Sequence, residues 1–194
     1  MNSREKILEA VLNNQPHLSP LPDISMFKGN IYNVVQKYMD VFRSIGGTAF
    51  LVENMSEVRA LISEHFNTSK RIVTTLDDLS DCFELISSTV APHLYEDVEL
   101  AIINAQFAVA ENGAVWLSEE LMGQRIIPYI CQHLAVVINA EKIVPTLHEA
   151  YDIIGLGNYG FGGFIGGPSK TADIEQALVL GAHGPLTMTV YIIK

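Results

Sequence analysis

The sequence predicts an α/β fold: an open, mainly parallel sheet flanked by helices, with a small N-terminal helical extension. Three observations predict it. Short apolar runs alternate with amphipathic stretches along most of the chain. The strand–helix–strand succession from Thr48 to Leu76 has the length of a right-handed parallel crossover, about thirty residues. A composition of 48% apolar and 18% charged residues suits a chain that buries a core.

The elements follow in order. Ser3 to Leu12 reads as a short helix capped by Ser3, with Ile7, Leu8 and Val11 on one face. Pro16, Pro20 and Pro22 hold an extended connector. A second helix runs from Ile31 to Ile45 and stops at Gly46-Gly47. Thr48–Glu53 is a buried strand, and Ser56 caps a helix through Phe66. Arg71–Leu76 is the next strand, and Leu85–Ile86 reads as a short helix. The stretch from Val98 to Leu117 is rich in strand formers, and Asn112-Gly113 pairs Phe107–Ala110 with Ala114–Leu117 as a hairpin. His133–Ile138 is another buried strand, and Pro145 opens a helix to Ile154. Nine of the fourteen glycines lie between Gly155 and Gly184, so a mobile loop is expected there. A helix over Lys170–Leu180 and a strand over Leu186–Ile193 complete the chain.

Charge and cysteine usage narrow the function classes. A net charge of −10 argues against nucleic-acid or anionic-membrane partners, so an anionic ligand needs a local positive spot. No run reaches the roughly 18 apolar residues of a membrane span, and the first residues lack a signal peptide's apolar core. Cys82 and Cys131 fit reduced thiols of a cytoplasmic protein, and two cysteines cannot ligate a four-cysteine iron–sulfur cluster. The six histidines show no metal-ligand spacing, so neither a metal nor a cofactor is expected.

Three stretches carry chemistry. Gly155–Gly160 matches G-x-G-x-x-G, but a helix precedes it and no helix follows, the wrong context for a dinucleotide fingerprint. Gly166–Glu175 runs from glycines into a predicted helix start bearing Ser169, Lys170, Thr171, Asp173 and Glu175. Backbone N–H groups and Lys170 there suit an anion. The same residues also suit a simple helix cap, and both readings stand. Glu111 sits at a strand end beside a tight turn, where a shielded carboxylate serves as base or nucleophile and a solvated one does nothing. His133, opening its strand, is a weaker acid/base candidate or a structural histidine.

Gly167–Glu175 (GPSKTADIE), with Leu178–Pro185 (LVLGAHGP), resembles the C-terminal signature of the LUD domain family. Ala105–Leu117 (AQFAVAENGAVWL) resembles a second signature of that family. The likeness covers residues 30–194, leaving 1–29 as an N-terminal helix and proline-rich connector. Asn112, Ala114 and Lys170 depart from the threonine, threonine and arginine usual in the family. The resemblance implies a fold like that of sugar-phosphate isomerases and CoA-transferases. It also implies an accessory role in oxidising L-lactate to pyruvate, beside iron–sulfur partner proteins. On this reading a small anionic metabolite lies between the Glu111 turn and the Ser169–Glu175 helix start. Lys170 pairs with it, Ser169 and Thr171 hydrogen-bond it, and Asn112, Gly113, Gly167 and Glu175 complete the binding set. Glu111, Asp173 and His133 are the acid/base candidates. Two further readings stay open: a CoA-transferase-like or hydrolytic enzyme with Glu111 as nucleophile, and a non-catalytic assembly subunit. Homo-oligomerisation is left open as well.

Overall fold

The computed structural model describes residues 2–29, 32–155, 157, 159–171 and 179–194. In chain order the elements are α1 (Ser3–Asn13), α2 (Val34–Ser44), β1 (Thr48–Val52), α3 (Met55–His65), β2 (Ile72–Thr74) and β3 (Glu84–Leu85). They continue with β4 (Leu100–Asn104), β5 (Phe107–Val109), β6 (Ala114–Ser118), α4 (Glu119–Met122), α5 (Ile127–Ile130) and β7 (His133–Asn139). Last come β8 (Ile143–Val144), α6 (Leu147–Ile154), β9 (Gly162–Ile165) and β10 (Thr187–Ile193).

Six strands form the main sheet in the order β1-β10-β7-β4-β2-β3, every pair parallel. Strands buried on both faces read as continuous apolar runs, which is how β4 and β7 appear in the sequence, while β10 alternates and then turns apolar. One face packs Leu100, Ile102, Ala135, Val137 and Tyr191 under Val58 and Ile62 of α3. The other packs Ala101, Ile103, Val136, Ile138, Val190 and Ile192 against Tyr38 and Phe42 of α2.

That second face also carries a smaller sheet, ordered β8-β5-β6-β9. The β5–β6 hairpin turns at Asn112-Gly113 as expected, pairing Phe107 with Trp116 and Val109 with Ala114. Ala108, Val115 and Leu117 face the main sheet, while Phe107, Val109 and Trp116 face outward beneath Ala150 of α6. The layers are therefore α3, main sheet, α2 with the small sheet, then α6.

Several expectations need correction. Gly162–Ile165 is the strand β9, paired antiparallel with β6, not a mobile loop. Its glycines suit the contact: a Cβ at Gly162 would stand 2.7 Å from the Trp116 ring. Leu85 belongs to the edge strand β3 rather than a helix, because Val73 and Thr74 pair with Glu84 and Leu85. Lys170 and Leu180 face each other across an antiparallel bridge, so neither lies in a helix, and 172–178 fall outside the described residues. Helix caps shift by one or two residues: Asn2, not Ser3, accepts from Glu5 N–H, and Asn54, not Ser56, accepts from Glu57 N–H. No buried residue occurs in α1. Among the described residues no helix is long and apolar enough to cross a membrane.

Arg71 secures the β3 edge. Its guanidinium takes both carboxylate oxygens of Glu84, at 2.9 and 2.7 Å, reaches Asp97 at 2.5 Å and lies over the Tyr95 ring. Hydrogen bonds from Arg71 hold the Glu84 carboxyl below its usual range. A depressed carboxyl stabilises the fold above its unfolded value and loses that contribution as pH falls through the folded one. Acidification below about pH 4 is therefore expected to release β3 before the central strands. Amide exchange at Ile86, whose N–H donates to Thr74 O at 2.9 Å, measures this, with exchange at Val136 as the reference.

Candidate functional site

The two sequence signatures meet at the C-terminal end of α2. Gly113, at φ 74°, follows Asn112, whose Oδ1 accepts from Ala114 N–H at 3.0 Å. A Cβ on Gly113 would stand 3.0 Å from Ile45 Cδ1 and 3.1 Å from Phe42 Cα, so the turn rests directly on α2. From the other signature, Gly167 takes φ 73°, and a Cβ there would lie 2.9 Å from Ile45 O. Lys170 Nζ donates to that same Ile45 carbonyl. Ser169 N–H donates to Pro185 O and Thr171 N–H to Val179 O, at 2.9 and 3.1 Å, and Thr171 Oγ1 accepts from Val179 N–H at 3.1 Å.

Two of the charged candidates, Lys170 and Glu111, already serve helix ends. The Lys170 ammonium sits at the C-terminus of α2, where free carbonyls favour a cation. Glu111 Oε2 accepts from Leu147 N–H at 2.8 Å, at the N-terminus of α6, where free N–H groups favour an anion. Asp173 and Glu175 lie outside the described residues. His133 stands apart, on the α3 side of the main sheet, with Nδ1 2.7 Å from Thr187 Oγ1 and Nε2 3.9 Å from Glu99. The structure thus brings Gly113, Gly167 and Lys170 together and separates His133 from them.

A different set of polar groups converges at the carboxyl ends of β4 and β7. In open parallel sheets ligands lie in the crevice beyond those ends. Here the chain leaves the main sheet at Ala105, whose N–H donates to Val137 O, and joins the small sheet at Gln106, whose N–H donates to Trp116 O, both at 3.1 Å. The step between the sheets opens a cleft of about 300 Å³ lined by Asn104, Gln106, Ser118, Glu120, Asn139 and Lys142, with Ala105 and Leu121. Among the described residues, the side chains of Asn104, Gln106, Ser118, Glu120 and Asn139 accept or donate no hydrogen bond. Lys142 has only its neighbour Glu141, 3.7 Å away and exposed. Glu120 also borders a shallower groove of about 610 Å³ along Gln124 and Arg125. Sequence reasoning missed these residues because three separate segments supply them. The only local signal was the end of an apolar strand in Asn104 and again in Asn139. Among the described residues no group of three or more His, Cys, Asp or Glu stands close enough to hold a metal ion.

The model of the LUD domain family matches residues 89–193, more than half of the chain, and the chain belongs to that family. It is similar to lactate utilization protein C of Anoxybacillus flavithermus, 25% identical over 196 residues, covering 92% of this chain and 89% of that protein. The Bacillus subtilis protein of the same name is 34% identical over 98 residues, covering 47% of this chain and 40% of that protein. For the Bacillus pumilus protein the figures are 30% over 99 residues, 48% and 41%, so the chain spans less than half the length of these two relatives. A duf162 family protein from Deinococcus radiodurans shares the fold, with a TM-score of 0.65, 14% identity, and coverage of 83% of this chain and 96% of that one.

The contact at Gly113 gives a direct test of this assembly. Gly113→Val combines a strained left-handed backbone with overpacking against α2 and is expected to cost about 2–4 kcal/mol. Urea unfolding followed by Trp116 fluorescence measures it, and Gly163→Val, where a Cβ meets only the Tyr129 hydroxyl at 3.8 Å, serves as the comparison.

Proposed function

We propose that this LUD-domain protein acts in lactate utilization, as an accessory component of the oxidation of L-lactate to pyruvate, and binds a small anionic metabolite in the carboxyl-edge cleft. The observation that carries the reading is the cluster of unspent polar side chains around Lys142. The ammonium neutralises a carboxylate, while Asn104, Gln106, Asn139 and Ser118 offer donors and acceptors to its oxygens and to a neighbouring hydroxyl. Glu120 is the carboxylate in reach of such a hydroxyl and takes the role of proton acceptor. Similarity to lactate utilization protein C along nearly the whole chain supports the metabolic assignment. Iron–sulfur proteins are the proposed partners, since the chain's two cysteines cannot hold a four-cysteine cluster.

The alternative with Glu111 as acyl-accepting nucleophile draws less support, because that carboxylate is committed to the N-terminus of α6. Incubation with an acyl-CoA followed by intact-mass measurement separates the two: a covalent adduct absent from Glu111→Ala would favour the enzyme. Binding tests the main reading. Calorimetric titration with L-lactate and pyruvate is expected to show weak binding that falls about tenfold in Lys142→Met, the scale of one charge-assisted hydrogen bond. Lys170→Ala is expected to bind as the native chain does. The reverse pattern would move the ligand to the Ser169–Thr171 segment and overturn the cleft.

A further inference from the structure

The opposite edge of the main sheet holds a second cleft, of about 340 Å³, on the α3 side. Its floor is the start of three parallel strands. The register sets Thr48 beside Thr189 and Thr187 beside His133, and period-two alternation brings these side chains to one face with Phe50. Its wall is the end of α3, because the strands begin beyond that helix and, among the described residues, His65 and Phe66 cover the sheet there. The His65 ring stacks on Phe50 with centroids 5.3 Å apart, and Phe66 tilts over His133 at 5.6 Å.

One hydroxyl opens into this cleft without a protein partner. Thr189 is 6% exposed, and its hydroxyl, which no protein group pairs among the described residues, is not one of the enclosed orphans and so reaches the cleft. The other buried polar residue, Thr74, donates its hydroxyl to Ile102 O at 2.9 Å. A hydroxyl that opens into a cleft without a protein partner is free to pair with a bound molecule. Aromatic walls with a few convergent polar groups are the usual lining of a small-molecule pocket, and the volume lies within the usual range of roughly 300–1,000 Å³.

We infer that the cleft between Phe50, Phe66, His133 and Thr189 binds a flat, neutral nitrogen heteroaromatic ring of nucleobase size. Phe66 supplies stacking area, and Phe50, stacked on His65 and Tyr191, adds an apolar edge. The hydroxyls of Thr48 and Thr189 meet the donors and acceptors on the ring's edge, which a plain hydrocarbon ring lacks. The electrostatics select against an anion. Among the described residues no lysine or arginine lines the cleft, Glu99 lies 3.9 Å from His133, and the C-terminal end of α3 points toward it. This site goes beyond the lactate reading and lies at the far edge of the sheet from Lys142.

Ligand-observed NMR and calorimetry on the full chain test it, with adenine and adenosine as probes and benzoate and AMP as comparators. Adenine and adenosine are expected to bind, with benzoate and AMP weaker. Thr189→Val, which keeps shape and removes the hydroxyl, is expected to lower adenine affinity about three- to tenfold. Thr48→Val, at an exposed position, gives a second reading should the buried substitution disturb folding. Lys142→Met is expected to leave adenine binding unchanged. Absence of binding at millimolar adenine would overturn the assignment. So would native affinity in both threonine variants, or benzoate or AMP binding as tightly as adenine.

Discussion

The fold depends on one close approach, the seating of the β5–β6 turn on the last turn of α2. A residue without a side chain at 113 lets the small sheet come within van der Waals distance of Phe42, and Phe42 itself packs on the main sheet. Gly167 and Lys170 close on the same helix end from the other side. Three chain segments far apart in sequence therefore share a single contact at Ile45. That contact sets the spacing between the two sheets, and the spacing leaves the cleft at Asn104 and Asn139.

Much of the architecture was legible in the sequence. The strand-rich stretch from Val98, the buried strand His133–Ile138 and the strand Leu186–Ile193 read correctly from their apolar runs, and hold β4, β7 and β10. Asn112-Gly113 announced its hairpin through local turn chemistry. What escaped was tertiary in origin. Ile143–Val144 and Glu84–Leu85 are too short to show a period and exist only through their neighbours. Gly162–Gly163 looked like loop because glycine is poor in strands, yet here it makes room for Trp116. The site was harder still. The motif residues Glu111 and Lys170 turned out to be matched to helix ends, a pairing that spans 36 residues for Glu111 and Leu147 and 125 for Lys170 and Ile45. No local pattern exposes contacts of that range.

The two edges of the main sheet differ in chemistry. Amides, a hydroxyl, a carboxylate and a lysine stand at the carboxyl edge, and rings with threonines stand at the amino edge. The first arrangement has the chemistry to suit a solvated, charged, oxygen-rich molecule, and the second to suit a flat one that prefers to leave water. Glu111, exposed and engaged with Leu147, joins the small sheet to α6 and belongs to neither edge.

The strand order carries a consequence for biosynthesis. β10, the last strand in chain order, lies between β1, the first, and β7. Until it emerges from the ribosome, both neighbours present an unpaired edge and a bare apolar face. Contacts so distant in sequence form late, and half-made sheets with open edges are prone to self-association. The sheet thus stays open until β10 is made, and a chain that lacked β10 would leave β1 cut off from the other four strands.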